Sequence, residues 1–525
     1  MKKLVVILVI AVLLLSACTP PPKDRPTPTP VHPNPKPSPN PTPSPGANGN
    51  TILGVEYAFP GQAQAFSELG ITGVKFYPEK YTMWDAMQSG PSAQIDFSEL
   101  DAMVKEYQAA GFSDILFGLR HQSTWGSIDA GKFSQKNALP KPEYQDEYET
   151  WFRSVVERYD KDGIDDMPGL MYPINRYEIG VEFSTYEPES ASEYVVHLDR
   201  AYKIAHEANK NAQVAHVAFL TLGALDRPVS SSQYESSFAT QRDKVHGLED
   251  MRVILDHPES FDLLNVHSLG DPTEIPRMKE FFTSEMKKRG YTKPIIISDT
   301  SPTPFISYGP ADTCTGNHGA IFYPATEADL CRTADYFKKL IADDPESVAF
   351  VRSFIAQDTV KRAVIASEQG VVQVDLAFTE DFNAFLFKKL LHAGTGNAAW
   401  GGFLDTSIKA GSEQRTVNGK FPSFYALKQL QSHLAGYSSI KRLDKGSDVF
   451  AYEVKNGSKT FYIAWLDTGK LILPGDEIPS KTISLGTGSV TVEQLITKQG
   501  ETTPESSAAS LDAITLTPSP VFILP

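Results

Sequence analysis

Arg176-Tyr177-Glu178-Ile179-Gly180-Val181-Glu182 reads as a short buried strand, Arg176 to Gly180, with a carboxylate two residues past its end. Ser190 to Asn209 follows as a helix, with Tyr194, Leu198, Tyr202 and Ala205 at helical spacing. Gln213 to Phe219 is again a strand. Strand, helix and strand in succession make a parallel unit.

The same unit repeats in both directions. Upstream strands are expected at Ile52 to Tyr57, Gly73 to Tyr77 and Asp114 to Leu119, alternating with helices over Gln62 to Leu69, Phe97 to Ala110 and Glu143 to Tyr159. Downstream strands are expected at Leu263 to Val266, Pro294 to Ser298 and Ala398 to Leu404. Their helices run over Asp243 to Leu255, Ile275 to Lys288 and Ser423 to Leu434. Short, continuously apolar strands suit a sheet buried on both faces. Eight units fit an α/β fold of the (β/α)8 TIM-barrel type over 51–436, with a long insertion before the eighth strand. After Gly436 the period changes to two. Strands over Asp448 to Val454, Thr460 to Trp465, Lys481 to Leu485, Val490 to Leu495 and Ile514 to Ile523 predict a small antiparallel β-sandwich at 437–525.

The N-terminus carries a different signal. Lys2 and Lys3 precede the apolar run Leu4 to Leu15, and Leu15-Ser16-Ala17-Cys18 resembles the bacterial lipobox. That resemblance implies a signal peptide over 1–18 and lipid on Cys18, hence an exported, membrane-anchored lipoprotein. Residues 19–50 are a tether: thirteen prolines fall between Pro20 and Pro45. Such a segment extends at about 3.1 Å per residue and reaches about 80 Å. In an oxidising compartment, Cys314 and Cys331 are expected to form a disulfide closing an irregular loop, worth ~3 kcal/mol.

The 525 residues carry a net charge of −15, and 22% are charged. Beyond the signal and tether, 44 basic residues face 63 acidic ones. Nucleic acid is therefore an unsuitable partner, since binding phosphates needs clustered Lys and Arg. A neutral saccharide suits this surface better than a polyanion. A Gly-rich phosphate loop, a Rossmann fingerprint, a Gly-x-Ser-x-Gly elbow and a His-Glu-x-x-His motif are all missing from the sequence, so no cofactor and no metal are expected.

Working residues of such barrels lie at the C-terminal ends of strands. Those ends give Glu56, Tyr77, His121, Glu182, His267, Asp299 and Trp400. Glu182 and Asp299 stand out, each closing a mostly apolar run at the barrel mouth. Two facing carboxyls are the minimum for glycoside hydrolysis: one protonates the leaving oxygen, and the other attacks the sugar or activates water. Arg120, His121, Trp125, His267, Trp400 and Tyr77 are candidates for the sugar subsite. Each also has a plainer reading, as packing or as a buried ion pair. Glu178, inside its strand, reads as the partner of a barrel cation.

Tyr177-Glu178-Ile179-Gly180-Val181-Glu182 is similar to the strand-four motif of a large clan of (β/α)8 retaining glycosidases, whose last Glu is the acid/base. Ile295-Ile296-Ile297-Ser298-Asp299 resembles the clan's strand-seven segment, which ends in the nucleophile, and Leu264-Asn265-Val266-His267 its strand-six segment. The resemblance implies Glu182 as acid/base and Asp299 as nucleophile, or as general base if the enzyme inverts. Two departures stand out. Val181 replaces the clan's Asn, and Asp299 replaces its Glu. Two rival readings follow: a catalytically impaired barrel that binds glycans at the cell surface, and a solute-binding lipoprotein. The β-rich tail argues against the second.

Overall fold

The computed structural model describes residues 50–76, 79–129, 137–183, 186–221, 224–225, 230–240, 246–301, 326–381, 400–409 and 411–525. Cys18, the proline-rich segment, Tyr77 and Cys314 lie outside the described residues.

Eight parallel strands form the centre. They are β1 (Ile52–Val55), β2 (Gly73–Phe76), β3 (Asp114–Leu119), β4 (Arg176–Ile179), β5 in two segments (Gln213–Ala215 and Phe219–Leu220), β6 (Leu264–Ser268), β7 (Ile295–Thr300) and β8 (Gln373–Leu376). Neighbours pair in order, and β8 pairs with β1 from Ile52↔Gln373 to Val55↔Leu376. The first segment of β5 pairs with β4 and the second with β6. The two ends of the sheet are thus two parts of one strand, and the sheet closes on itself as a (β/α)8 barrel.

Strand alternation sorts the side chains. Ile115, Phe117, Val214, Leu264, Val266, Ile295 and Ile297 join the main core, packed against the surrounding helices. Leu116, Ala215, Leu263 and Ile296 form a separate apolar cluster in the barrel interior. The helices follow their sequence signals. Ala191–Ala208 starts at a capping box, with Ser190 and Glu193 satisfying each other's backbone N–H groups. Gln145–Tyr159 buries Tyr148, Trp151, Phe152, Val155, Val156 and Tyr159 along one stripe.

The eighth strand corrects the sequence expectation. It is Gln373–Leu376, not Ala398 to Leu404; Leu404 instead opens β9 (Leu404–Ile408), which pairs antiparallel with β10 (Arg415–Lys420). The strand was hidden by two buried polar residues, Gln373 and Asp375, which interrupt its apolar pattern. The helix before it, Pro345–Glu368, is masked as well. It buries residues around its whole circumference, so it has no apolar stripe to read.

The C-terminal part has a six-stranded antiparallel sheet in the order β11 (Ser439–Leu443), β12 (Val449–Asn456), β13 (Lys459–Leu466), β18 (Val521–Leu524), β15 (Ser489–Gln494), β16 (Ser506–Ser510). A second sheet pairs β14 (Lys481–Ile483) with β17 (Ile514–Leu516). Val449, Ala464, Val492 and Val521 of the large sheet share an apolar cluster with Ile483, Ile514 and Leu516 of the small one. The opposite face of the large sheet adds Phe450, Tyr452, Trp465 and Phe522 to the main core. The expectation omitted β11 and β16, the two outermost strands. Both are largely exposed and so show no apolar alternation.

Candidate active site at the barrel mouth

The strand register carries a connected set of buried polar side chains up the barrel interior. Lys75 on β2 lies 2.7 Å from Glu178 Oε2 on β4 and 3.1 Å from Glu56 Oε1 after β1. Glu178 is thus the partner of a barrel cation. Its other oxygen accepts from Asn265 Nδ2 at 2.8 Å and from the Ser298 hydroxyl at 3.2 Å. His267 Nε2 is 3.2 Å from Ser298 Oγ, and His267 Nδ1 is 3.0 Å from Glu182 Oε1. Glu182 is held at the end of β4 by a bridge to Ala218.

The Ser298 hydroxyl lies between Glu178, to which it donates, and His267 Nε2, while His267 Nδ1 meets Glu182, so a continuous set of hydrogen-bond contacts joins the barrel interior to the mouth.

Asp299, on β7, faces a different partner. It lies beside Glu56, and each carboxyl acts on the other's ionisation. Burial raises the Glu56 carboxyl well above the carboxylate range, and the Asp299 charge adds to this. Burial also raises Asp299, less strongly, because His267 and Lys75 offset it. Their mutual contact raises Glu56 and lowers Asp299, which widens the difference that burial makes between them. Lys75 stays charged: burial would lower it, but Glu178 and Glu56 raise it above its ordinary value. Glu182 acts on Asp299 through its charge. The mouth therefore brings together two carboxyl groups, Glu182 beside His267 and Asp299 beside Glu56.

The other sequence candidates scatter. Arg120 and His121 lie just past the end of β3, beside Glu187 and Glu189. Trp125 packs on Trp84 and Tyr144, with its indole N–H bonded to Gln88 O at 2.9 Å. Trp400 does not end the eighth strand. It is buried in a satellite cluster with Tyr336, Phe337, Leu340, Val351 and Ile355. Cys331 lies in the helix Glu327–Ile341. Of the candidates, Glu182, His267 and Asp299 share the mouth. Sequence reasoning missed Lys75, Ser298, Glu187 and Glu189 and gave Glu56 no role. Lys75 had a signal, as a lone cation within the apolar run Gly73-Val74-Lys75-Phe76. Glu187 and Glu189 sit in a loop without periodicity and had none.

No family profile matches the chain, and no curated protein matches it. Solved structures do. A family 39 glycoside hydrolase from the gut symbiont Bacteroides cellulosilyticus WH2 superposes with a TM-score of 0.54 at 11% identity, covering 92% of this chain and 82% of that one. A glucosidase from Croceicoccus marinus gives 0.52 at 12% identity over 92% and 98% of the two chains. A conserved exported protein from Bacteroides fragilis gives 0.52 at 10% identity over 91% and 97%. At such identities the likeness is one of fold, and the fold is that of glycoside hydrolase barrels.

Proposed function

We propose that this chain is a surface lipoprotein that hydrolyses O-glycosidic bonds of a neutral oligo- or polysaccharide. In this reading residues 1–18 are a signal peptide, Cys18 carries lipid and 19–50 are the tether. The barrel over 51–436 and the β domain over 437–525 stand off the membrane, with Cys314 and Cys331 bonded. Glu182 is the general acid, and Asp299 is the nucleophile, or the general base if the enzyme inverts.

The observation that carries the proposal is the 3.0 Å contact of Glu182 with His267 in the same mouth as Asp299, a buried carboxyl raised above its ordinary value by burial. The fold shared with a family 39 glycoside hydrolase and a glucosidase supports it. Protonation of the leaving oxygen by Glu182 and attack from Asp299, or from a water it activates, is the two-carboxylate reaction. Sugar release from neutral polysaccharides by the wild type, reduced at least a hundredfold in Glu182→Gln with the fold intact, is the expected result. Equal release by the variant would refute the assignment of the acid.

A second reading is favoured by two observations: Asp299 is buried beside Glu56, which acts on its ionisation, and Val181 offers no polar group to a substrate. A glycan-binding barrel without turnover would show oligosaccharide binding by calorimetry and no product.

A further inference from the structure

A second buried polar cluster lies beside the mouth, and the catalytic reading does not use it. His121 follows β3, and Glu187 and Glu189 lie in the loop between β4 and the helix Ala191–Ala208. All three are fully buried. His121 Nε2 stands 3.3 Å from Glu187 Oε2 and 3.5 Å from Glu189 Oε1, and the three ligand atoms lie within 4.8 Å of one another. We propose that these three atoms bind a divalent first-row cation, zinc foremost, that fastens the loop after Glu182 to the end of β3.

Three observations carry this. The first is distance. Charge-assisted N–H···O⁻ bonds run at about 2.7–2.9 Å, and both contacts are longer. Bonds of about 2.0–2.2 Å to a tetrahedral zinc place its ligands about 3.4 Å apart, close to what the ring nitrogen shows to both oxygens. The second is satisfaction. Of the three candidate ligand atoms, His121 Nε2 and Glu189 Oε1 are buried without a hydrogen bond. One proton on His121 Nε2 meets at most one carboxylate well, whereas a cation takes a lone pair from all three groups. The third is support. Glu187 Oε1 is fixed by Val181 N at 2.8 Å and Glu189 Oε2 by Ala138 N at 3.3 Å, so each carboxylate is anchored through one oxygen and aims the other inward. Gln122 Nε2 adds a contact to Glu187 Oε2 at 3.3 Å. Outer contacts of this kind orient metal ligands. Arg120 also acts on Glu187. With His121 neutral, as a ligand must be, one negative charge remains for the cation to offset.

The site is built from an end of β3 and a loop 66 positions further on, so no spacing motif announces it. Its consequence for the mouth runs through Val181, whose N–H is held by Glu187 and which directly precedes Glu182.

The test uses the intact chain, stripped with EDTA and titrated with zinc chloride alone. Calorimetry and elemental analysis should give one zinc per chain. Melting should rise by about 3 °C at a hundredfold excess over the dissociation constant. His121→Ala and the isosteric Glu189→Gln should each lose that equivalent or weaken it more than tenfold, with Glu189→Gln deciding if His121→Ala fails to fold. Asp162→Asn, in the exposed Asp160–Asp166 loop, should keep it, as should Glu182→Gln. No bound equivalent, or one that survives in Glu189→Gln, would overturn the proposal and leave a proton on His121 as the balance of the cluster.

Discussion

The two ends of the barrel interior solve the same problem differently. At the base, Arg176 is surrounded mainly by neutral amides: its Nη1 contacts Gln373 Oε1 at 3.2 Å and Asp114 at 3.3 Å, and its Nε contacts Gln213 Oε1 at 3.1 Å. Gln373 in turn donates to both oxygens of Asp375 at 3.0 Å. At the mouth, Glu56, Glu178, Glu182 and Asp299 gather around Lys75 and His267 among the described residues. The base spends most of its polar groups on one another, although burial raises its Asp375 carboxyl to about 7. The mouth leaves carboxylates that protons must balance. Unbalanced carboxylates in a buried setting mark a place where protons can be moved, and matched amides mark a place built for stability.

That contrast can be broken by removing its cations. Lys75→Met leaves Glu178 and Glu56 facing each other in the interior and should cost about 3–5 kcal/mol in chemical denaturation. Arg176→Met should cost only about 1–2 kcal/mol, because the groups it leaves are mostly neutral and Asp114 is partly exposed. Equal losses would mean that the mouth is no more strained than the base. Between these falls Gly54→Ala. A Cβ there would strike Asp375 Oδ1 and the Gly73 backbone, so about 3 kcal/mol of overpacking is expected.

The smallest effect concerns pH. Glu56 and Asp299 ordinarily titrate at 4.5 and 3.8, and both are raised in the fold. The native chain therefore holds more protons than the unfolded chain above about pH 4, and their contribution to stability falls as pH rises through the raised values. Glu56→Gln keeps an N–H for Asp299 and removes one titrating group. Its melting temperature should decline less than that of the wild type between about pH 4 and pH 8. An unchanged slope would show that Glu56 is not raised in the fold.

How far the sequence could be read follows the same division. β3 was legible to the residue and β1, β2, β4 and β7 nearly so, because apolar runs bounded by turns announce strands buried on both faces. β8 was not, because its polar residues are one amide, Gln373, and one acid, Asp375, and the helix before it is buried all round. That misplacement also put Trp400 at the mouth, where the structure does not have it. Glu182, Asp299 and His267 were legible as strand ends carrying polar groups. Lys75 and Glu56 were harder, since their meaning lies in pairings across strands. Glu187 and Glu189 were beyond reach, because a loop brings them to His121 without a repeating pattern.

The central claim is that Glu182 supplies a proton to the leaving oxygen. The most direct test compares wild type and Glu182→Gln on aryl glycosides of decreasing leaving-group acidity. The account predicts little loss of kcat/KM for a dinitrophenyl leaving group, which departs unaided, and a loss of about 10²- to 10⁴-fold for an alkyl or sugar one. A loss that is the same for every leaving group, or no loss at all, would contradict it.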